Sequence, residues 1–315
     1  MEYGEYQGVK ISRLSLGTVQ LGIDYGISNK QGKPKIEDAM NILYEAVHHG
    51  INCFDTAPVY GTSEDIIGQF MESNLISGDS FKPIIMTKIH PIKVVKKPIF
   101  DEIYDDMKRS IQLSLERLKI DKLPICLLHK ASNITDNDGI ITECLLSFKD
   151  EGLVEMIGAS TYTPKDVEQF LKIEDFDVIQ VPLNIFDLRL INSGLLDELN
   201  KKRKCVFVRS IFLQGLFFLN PEKLPKNVRG AKPWLMELNA LSTEYETSIK
   251  EIAINFIKNL PGINSIIVGV ESTSQLKENL IILESSLPSS DLIDIIYEKF
   301  NNIPEHIINP SLWNP

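Results

Sequence analysis

Four polar residues stand at or just beyond the ends of apolar runs. Asp55 follows Gly50–Phe54, Lys88 follows Ile84–Thr87, His129 follows Leu123–Leu128, and Tyr60 comes five residues after Asp55. A carboxylate, an ammonium, an imidazole and a phenol form a proton-transfer set. A phenol has an unperturbed pKa near 10, so Tyr60 acts as an acid near neutrality only where its anion is favoured. A lysine about 4 Å away, at an effective dielectric near 20, is worth roughly 4 kcal/mol, or about 3 pKa units. Lys88 is the candidate for that role, with Asp55 holding it in place and charged. Taken singly, each residue has an ordinary reading: Asp55 as a turn or cap, Tyr60 as a loop aromatic, Lys88 as a solvated strand end, His129 as a core histidine. Their joint placement at consecutive strand ends favours one site.

The elements that must position them alternate along the chain. Strand-like apolar runs lie at 13–17, 51–54, 83–88, 123–129, 154–159, 177–181, 205–209 and 264–268. Amphipathic, helix-like stretches follow at 36–49, 63–75, 101–119, 138–151, 164–173, 192–203, 248–259 and 272–284. Eight strand-then-helix units predict a (β/α)8 TIM barrel, whose catalytic groups sit at the C-terminal ends of its strands. Residues 3–12, around Gln7-Gly8, predict an N-terminal β-hairpin, and the stretch after 285, with a helix over 291–300, a C-terminal helical tail. The whole chain, 1–315, reads as a single barrel domain. A doubly wound fold would need a G-x-G-x-x-G turn after its first strand, and Leu16-Gly17-Thr18-Val19-Gln20-Leu21-Gly22 has the wrong spacing. Two loops stand out: a basic one at 92–100 containing Lys93, Lys96 and Lys97, and an insertion at 216–235 broken by Pro221, Pro225, Gly230 and Pro233.

A net charge of -10 argues against nucleic acid or an anionic membrane as the main partner. No run approaches a membrane span, no leader pattern opens the chain, and Cys53, Cys126, Cys144 and Cys205 are scattered. These features predict a cytoplasmic protein with reduced cysteines. A metal site is not expected, because the first strand, Leu14-Ser15-Leu16-Gly17, lacks a histidine pair. His48 and His49 close a helix, His90 reads as a loop histidine, and Phe186, Asp187 and Arg189 stand either at a pocket edge or in an ordinary polar loop.

The strings FDTAPVYG, MTK and LLH around Asp55, Tyr60, Lys88 and His129 resemble the catalytic tetrad of the aldo/keto reductases, and the resemblance runs from Gly17-Thr18 to Glu278-Asn279. It implies that Tyr60 is the general acid, assisted by Lys88 and Asp55, with His129 orienting a substrate carbonyl. It also implies a bound NADPH or NADH. Gly17, Thr18 and Asp55 would lie at its nicotinamide end, and Ser160, Thr161 and Gln180 at the carboxamide. The loop with Arg209, Ser210, Phe212, Gln214 and Gly215 would cross the pyrophosphate, and Gly269, Glu271, Gln275, Glu278 and Asn279 would meet the adenosine. Two departures stand out. Arg209 occupies a position where many relatives stack an aromatic ring on the nicotinamide, and a guanidinium plane can stack too. Glu271 lies where relatives preferring a 2'-phosphate carry a cation, so NADH is expected to be used at least as well as NADPH unless Arg229 or Lys232 supplies the missing charge.

The implied partner is a small-molecule carbonyl substrate. The string from Gly17 through Asp24-Tyr25-Gly26-Ile27 resembles a bacterial branch associated with sugars or nucleotide-linked sugars. Two other readings stay open: a nicotinamide-binding regulatory subunit with little turnover, and an isomerase or lyase that recycles a bound cofactor.

Overall fold

A computed structural model describes residues 1–73, 83–93, 97, 99–285, 289 and 291–313 of the chain. Lys96, part of the basic loop, lies outside the described residues. Strands β1 (Tyr3–Tyr6) and β2 (Val9–Ser12) form an antiparallel hairpin turning at Gln7-Gly8. Eight parallel strands then close a barrel: β3 (Leu14–Gly17), β4 (Cys53–Asp55), β5 (Ile84–Ile89), β6 (Leu123–Leu128), β7 (Val154–Ser160), β8 (Val178–Pro182), β9 (Cys205–Arg209) and β10 (Ser265–Gly269). β10 pairs with β3, so the sheet has no edge in the strand order.

Alternation along these strands separates two apolar clusters. Leu16, Phe54, Ile85, Cys126, Ile157, Ile179, Val206 and Ile266 face outward and pack under the helices. Cys53, Met86, Ile125, Leu127, Met156, Val178, Phe207 and Ile267 fill the interior. A period of two therefore carries the next inward position to the top of each strand. That position is Gly17, Asp55, Lys88, His129 just past β6, Ser160, Gln180, Arg209 or Gly269. The polar ring at the C-terminal face is thus a direct consequence of the strand periodicity.

Helices follow the strands at 36–48, 63–72, 100–118, 140–150, 164–170, 195–201, 249–258 and 273–284. Two of their starts carry reciprocal capping boxes, Thr163 with Asp166 and Ser248 with Glu251. The tail adds Asp291–Phe300 and a short turn at Glu305–Ile308. The insertion differs from the expectation of an irregular loop. After 3-10 turns at 213–218, 221–223 and 226–231, a helix runs from Lys232 to Glu244. Pro233 lies in its first turn, where the missing N–H has no helical partner to lose, so this proline starts an element rather than breaking one. All four cysteines are free and buried.

Candidate active site

Asp55 ends β4, and the residue is almost fully enclosed at 6% exposure. Its Oδ1 accepts from Lys88 Nζ at 2.6 Å and from Gln180 Nε2 at 2.8 Å. Lys88 is buried and also donates to the Thr56 carbonyl at 2.9 Å. Strands β4 and β8 do not neighbour each other in the sheet, so the Asp55–Gln180 bond ties them across the barrel mouth. Ser160 Oγ fixes the other end of that amide, donating to Gln180 Oε1 at 2.9 Å. Thr161 donates from its backbone N–H and its hydroxyl to the Gln180 carbonyl at 2.8 and 3.1 Å.

Tyr60 sits on a turn between β4 and the helix at Ser63. Its N–H donates to the Ala57 carbonyl, and Ser63 N–H donates back to the Tyr60 carbonyl. A buried hydroxyl cluster supports the turn: Ser63 Oγ donates to Thr18 Oγ1 at 2.7 Å and lies 3.0 Å from Thr56 Oγ1. Thr18 in turn donates to the Asp55 carbonyl from both N–H and hydroxyl, at 2.9 and 2.7 Å. Thr56 was not singled out by sequence, because a lone hydroxyl carries no periodic signal.

Lys88 Nζ lies 4.9 Å from the centroid of the Tyr60 ring, and the His129 ring meets that ring edge-on at 5.9 Å and 87°. The structure therefore brings Asp55, Lys88, Tyr60 and His129 into one cluster. The expected acidification of Tyr60 is not its resting state. Burial pushes its pKa above the ordinary phenol value, Lys88 pulls it down, and Asp55 pushes it up again, so the net direction is upward. The sequence expectation placed Asp55 beside Lys88 as its support but counted neither the carboxylate's own opposing charge on Tyr60 nor desolvation. Burial alone would lower the Lys88 pKa, and Asp55 and Tyr60 reverse that, leaving it raised and the ammonium charged. His129 is driven down to about 3 by burial and then by the charges of Lys88 and Arg209, so its imidazole is neutral near pH 7. Its Nδ1 is buried without a partner among the described residues.

Arg209 does not point freely into the opening. Its guanidinium lies 4.3 Å from the centroid of the Tyr162 ring and donates to the Thr161 carbonyl at 2.8 Å and to Ser210 Oγ at 3.1 Å. One face is thus covered by Tyr162, a residue that sequence reasoning missed. The loop that follows is held in unusual backbone: Ser210, Leu213, Gln214 and Gly215 all have positive φ, at 61°, 48°, 53° and 88°. Such a run in side-chain-bearing residues costs conformational energy and clusters at ligand sites. Phe212 packs on Phe218 within the same loop.

At the other rim, Gly269 meets the Gln20 side chain so closely that a Cβ there would overlap it, and Gln20 Oε1 is buried and unpartnered among the described residues. Asn279 is 2% exposed, again with an unpartnered Oδ1. Ser272 caps the helix at 273, Glu271 N–H donates to Gln275 Oε1 at 2.8 Å, and Glu278 pairs with Lys250. Glu271, Ser272 and Thr273 line an open cavity of about 460 Å³ with Asp38 and Glu45. Lys232, one of the two cations considered for this end, is bound to Glu222 at 2.7 Å.

The remaining candidates each have protein partners, and Asp187 and Arg189 also line a small pocket with Thr161 and Tyr162. His90 lies 3.2 Å from Asp106 on the neighbouring helix, and His49 Nδ1 contacts the Glu45 carbonyl at 2.8 Å. Phe186 is a core residue packed on Phe217 and Phe300. Asp187 is buried and grips Arg189 through two 2.8 Å bonds. Among the described residues no three His, Cys, Asp or Glu side chains gather to hold a metal, and no helix is long and apolar enough to cross a membrane.

Residues 13–298 match the model of the aldo/keto reductase family. The chain is 25% identical to the NADH-specific methylglyoxal reductase of Escherichia coli (strain K12), over 90% of this chain and 93% of that one. It is 29% identical to the L-galactose dehydrogenase of Arabidopsis thaliana, over 87% and 84%. Among solved structures it resembles an aldo-keto reductase from Bacillus halodurans in its holo form, with a TM-score of 0.74, 21% identity, and coverage of 98% and 99%.

Proposed function

We propose, from the premise that this chain belongs to the aldo/keto reductase family, that Tyr60 is the proton donor of its carbonyl reduction, served by Lys88, Asp55 and His129. The chain is an NAD(P)H-dependent oxidoreductase by that membership. When bound, the reduced nicotinamide supplies the hydride. The residues do the rest. The observation that carries the reading is the buried Lys88–Asp55 pair at 2.6 Å, seated beside a phenol that meets a neutral imidazole edge-on.

A phenol kept protonated by burial is a ready donor to an oxygen that gains negative charge. The Lys88 ammonium, with Nζ 4.9 Å from the ring centroid, stabilises the phenolate left behind. Asp55 keeps Lys88 charged and aimed, since it and Thr56 take two of its three protons. Neutral His129 offers an N–H to the carbonyl oxygen without introducing a charge that would pre-empt the proton transfer. Gln180 and Ser160 hold Asp55 from the far side of the barrel.

Three features of this chain fit a nicotinamide dinucleotide. Gln20, His129 and Asn279 each leave a buried polar atom unpartnered among the described residues. The 210–215 loop carries four residues of positive φ. The site also offers Ser160, Thr161 and Gln180 near Asp55. Gly17, Thr18, Asp55, Ser160, Thr161, Gln180 and Arg209 would hold the nicotinamide end, Ser210, Phe212, Gln214 and Gly215 the phosphates, and Gly269, Glu271, Gln275, Glu278 and Asn279 the adenosine.

The carboxylates of Asp38 and Glu271 around the cavity by Ser272 disfavour a 2'-phosphate, which supports NADH over NADPH, while Glu45 beside them is paired with Lys277 at 3.1 Å. The NADH specificity of the Escherichia coli relative agrees with that choice. For the substrate, the reading is a small sugar-derived carbonyl, in keeping with the L-galactose dehydrogenase relative and the D-arabinose 1-dehydrogenase of Saccharomyces cerevisiae (strain ATCC 204508 / S288c). The test is stoichiometric: purified protein, NADH and a panel of small aldehydes and sugar aldehydes, with coenzyme and carbonyl both quantified. One NADH oxidised per carbonyl reduced is expected. Coenzyme binding without net consumption would favour a regulatory subunit or a cofactor-recycling isomerase instead.

A further inference from the structure

The strand that carries Lys88 outruns its neighbour. Pairing of β4 with β5 ends at Asp55 and Met86, and one further backbone bond, from Thr56 N–H to the Met86 carbonyl at 2.8 Å, closes it. From Thr87 onward β5 is paired with β6 alone, while on its other flank the chain leaves into the Tyr60 turn. Among the described residues, that flank is held by side chains instead of a ladder. Inside the barrel Lys88 reaches Asp55 Oδ1 and the Thr56 carbonyl. Outside it, Thr87 Oγ1 donates to Glu64 Oε1 at 2.7 Å.

Glu64 lies in the first turn of the helix at 63–72, directly after the turn that carries Tyr60. Its neighbour Ser63 is part of that turn: its N–H donates to the Tyr60 carbonyl at 3.1 Å, and its hydroxyl joins the Thr18 and Thr56 cluster. A first-turn acid ordinarily stays in water beside the helix N-terminus. Glu64 is instead 1% exposed and turned onto β5. Further along the same helix, a Cβ at Gly68 would fall 1.9 Å from the Arg117 carbonyl oxygen, so this helix and the one at 100–118 touch backbone to backbone. That contact brings the Arg117 guanidinium to 3.5 Å from Glu64 Oε2, an ion pair without a hydrogen bond. Burying a carboxylate is unfavourable unless it is paired and bonded, and apolar side chains could fill the same space without that penalty. What the carboxylate adds is a fixed acceptor for Thr87.

We infer that Glu64 is a positioning residue of the proton-transfer site: its bond to Thr87 fixes the strand that delivers the Lys88 ammonium against the turn that delivers the Tyr60 phenol. The inference rests on the proposed reduction at Tyr60. One end of the tie is the run Tyr60, Ser63 and Glu64, and the other is Thr87 and Lys88. The 4.9 Å between Lys88 Nζ and the Tyr60 ring centroid is then set from outside the barrel as well as by Asp55 within it. Glu64 and Thr87 are both fully buried, so they act through Tyr60 and Lys88 and not on the substrate.

The test uses two matched pairs of variants. Thr87→Val removes the hydroxyl at nearly constant volume and Thr87→Ser keeps it; Glu64→Met removes the acceptor and Glu64→Gln keeps one. Each protein is assayed for kcat in the reduction of propanal by NADH, and a fluorescence titration gives both the NADH affinity and the number of folded sites. Thr87→Val and Glu64→Met should lower kcat per coenzyme-binding site about 10- to 100-fold with NADH affinity held within about twofold, since a small misplacement away from the chemistry is enough to do this. Thr87→Ser and Glu64→Gln should recover most of that loss, and the Thr87→Val, Glu64→Met double variant should be no slower than the slower single, because both cut the same tie. An unchanged kcat per site in Thr87→Val, whatever its melting temperature, overturns the inference and leaves the bond a matter of stability. Equal losses in Glu64→Gln and Glu64→Met also overturn it. Should Glu64→Met fail to fold, the two Thr87 variants decide alone. Wild type that reduces propanal, and loses that activity in Tyr60→Phe but not in Thr87→Val, removes the inference while keeping the reduction reading; normal turnover in Tyr60→Phe removes both.

Discussion

The Lys88–Asp55 pair makes a quantitative claim that can be broken in two directions. Nζ and Oδ1 are 2.6 Å apart, with side-chain exposures of 1% and 8%, so neither charge can recover water if its partner is removed. Asp55→Asn leaves a buried ammonium and Lys88→Met a buried carboxylate, and breaking a pair of this kind costs about 3–5 kcal/mol. For 315 residues, an unfolding entropy of roughly 2.1 cal/mol/K per residue gives about 0.7 kcal/mol/K, so each single variant should melt about 5–8 °C below wild type. The double variant removes both charges, and the amide oxygen that Asp55→Asn introduces can still accept from Gln180, as the carboxylate does at 2.8 Å. It should therefore be destabilised by clearly less than the sum of the singles, with a coupling of up to about 3 kcal/mol. Thermal unfolding followed by circular dichroism on the four proteins reads this out. Losses that add to within about 0.5 kcal/mol would show that the two side chains do not form one buried unit, and the electrostatic account of Tyr60 would fall with it.

Because Tyr60 is held above the ordinary phenol value and His129 down near 3, carbonyl reduction should be flat from about pH 5 to 9, while alcohol oxidation, which needs the phenolate, should climb with pH; a step in the reduction profile near 6.5 would assign His129 a titrating role. The same histidine should make the fold acid-sensitive: its contribution is complete above the unfolded value of 6.5 and is lost as pH falls towards 3, by up to about 1.4 kcal/mol per unit, and a stability curve identical in His129→Asn would contradict this. Glu271→Lys should raise affinity for NADPH relative to NADH, and an unchanged ratio of the two dissociation constants would remove Glu271 from coenzyme choice.

Much of this site was legible in the chain because periodicity and chemistry coincide. Asp55, Lys88 and His129 lie at or just beyond the ends of apolar runs in the sequence, and the barrel turns each run's last inward position to the same face, whereas Gln180 and Arg209 were reached only through the family resemblance. What stayed hidden depends on neighbours distant in sequence. The Gln180–Asp55 bond joins residues 125 apart, and nothing local marks it. The direction of the Tyr60 shift was misread for the same reason, since burial and the Asp55 counter-charge act through three-dimensional proximity. The helix at 232–244 was missed because Pro233 was taken as a breaker when its position in the first turn makes it a start. Tyr162 lies in a loop without a repeat, and only its packing on Arg209 gives it meaning.

The central claim is that Tyr60 delivers the proton in a nicotinamide-dependent carbonyl reduction. The most direct measurement is steady-state reduction and NADH titration on Tyr60→Phe beside wild type. The account predicts a loss of turnover of about 10²–10⁴-fold, the usual contribution of a positioned general acid, with coenzyme affinity retained because the ring and its packing against His129 and Lys88 remain. Turnover close to wild type in that variant would contradict it.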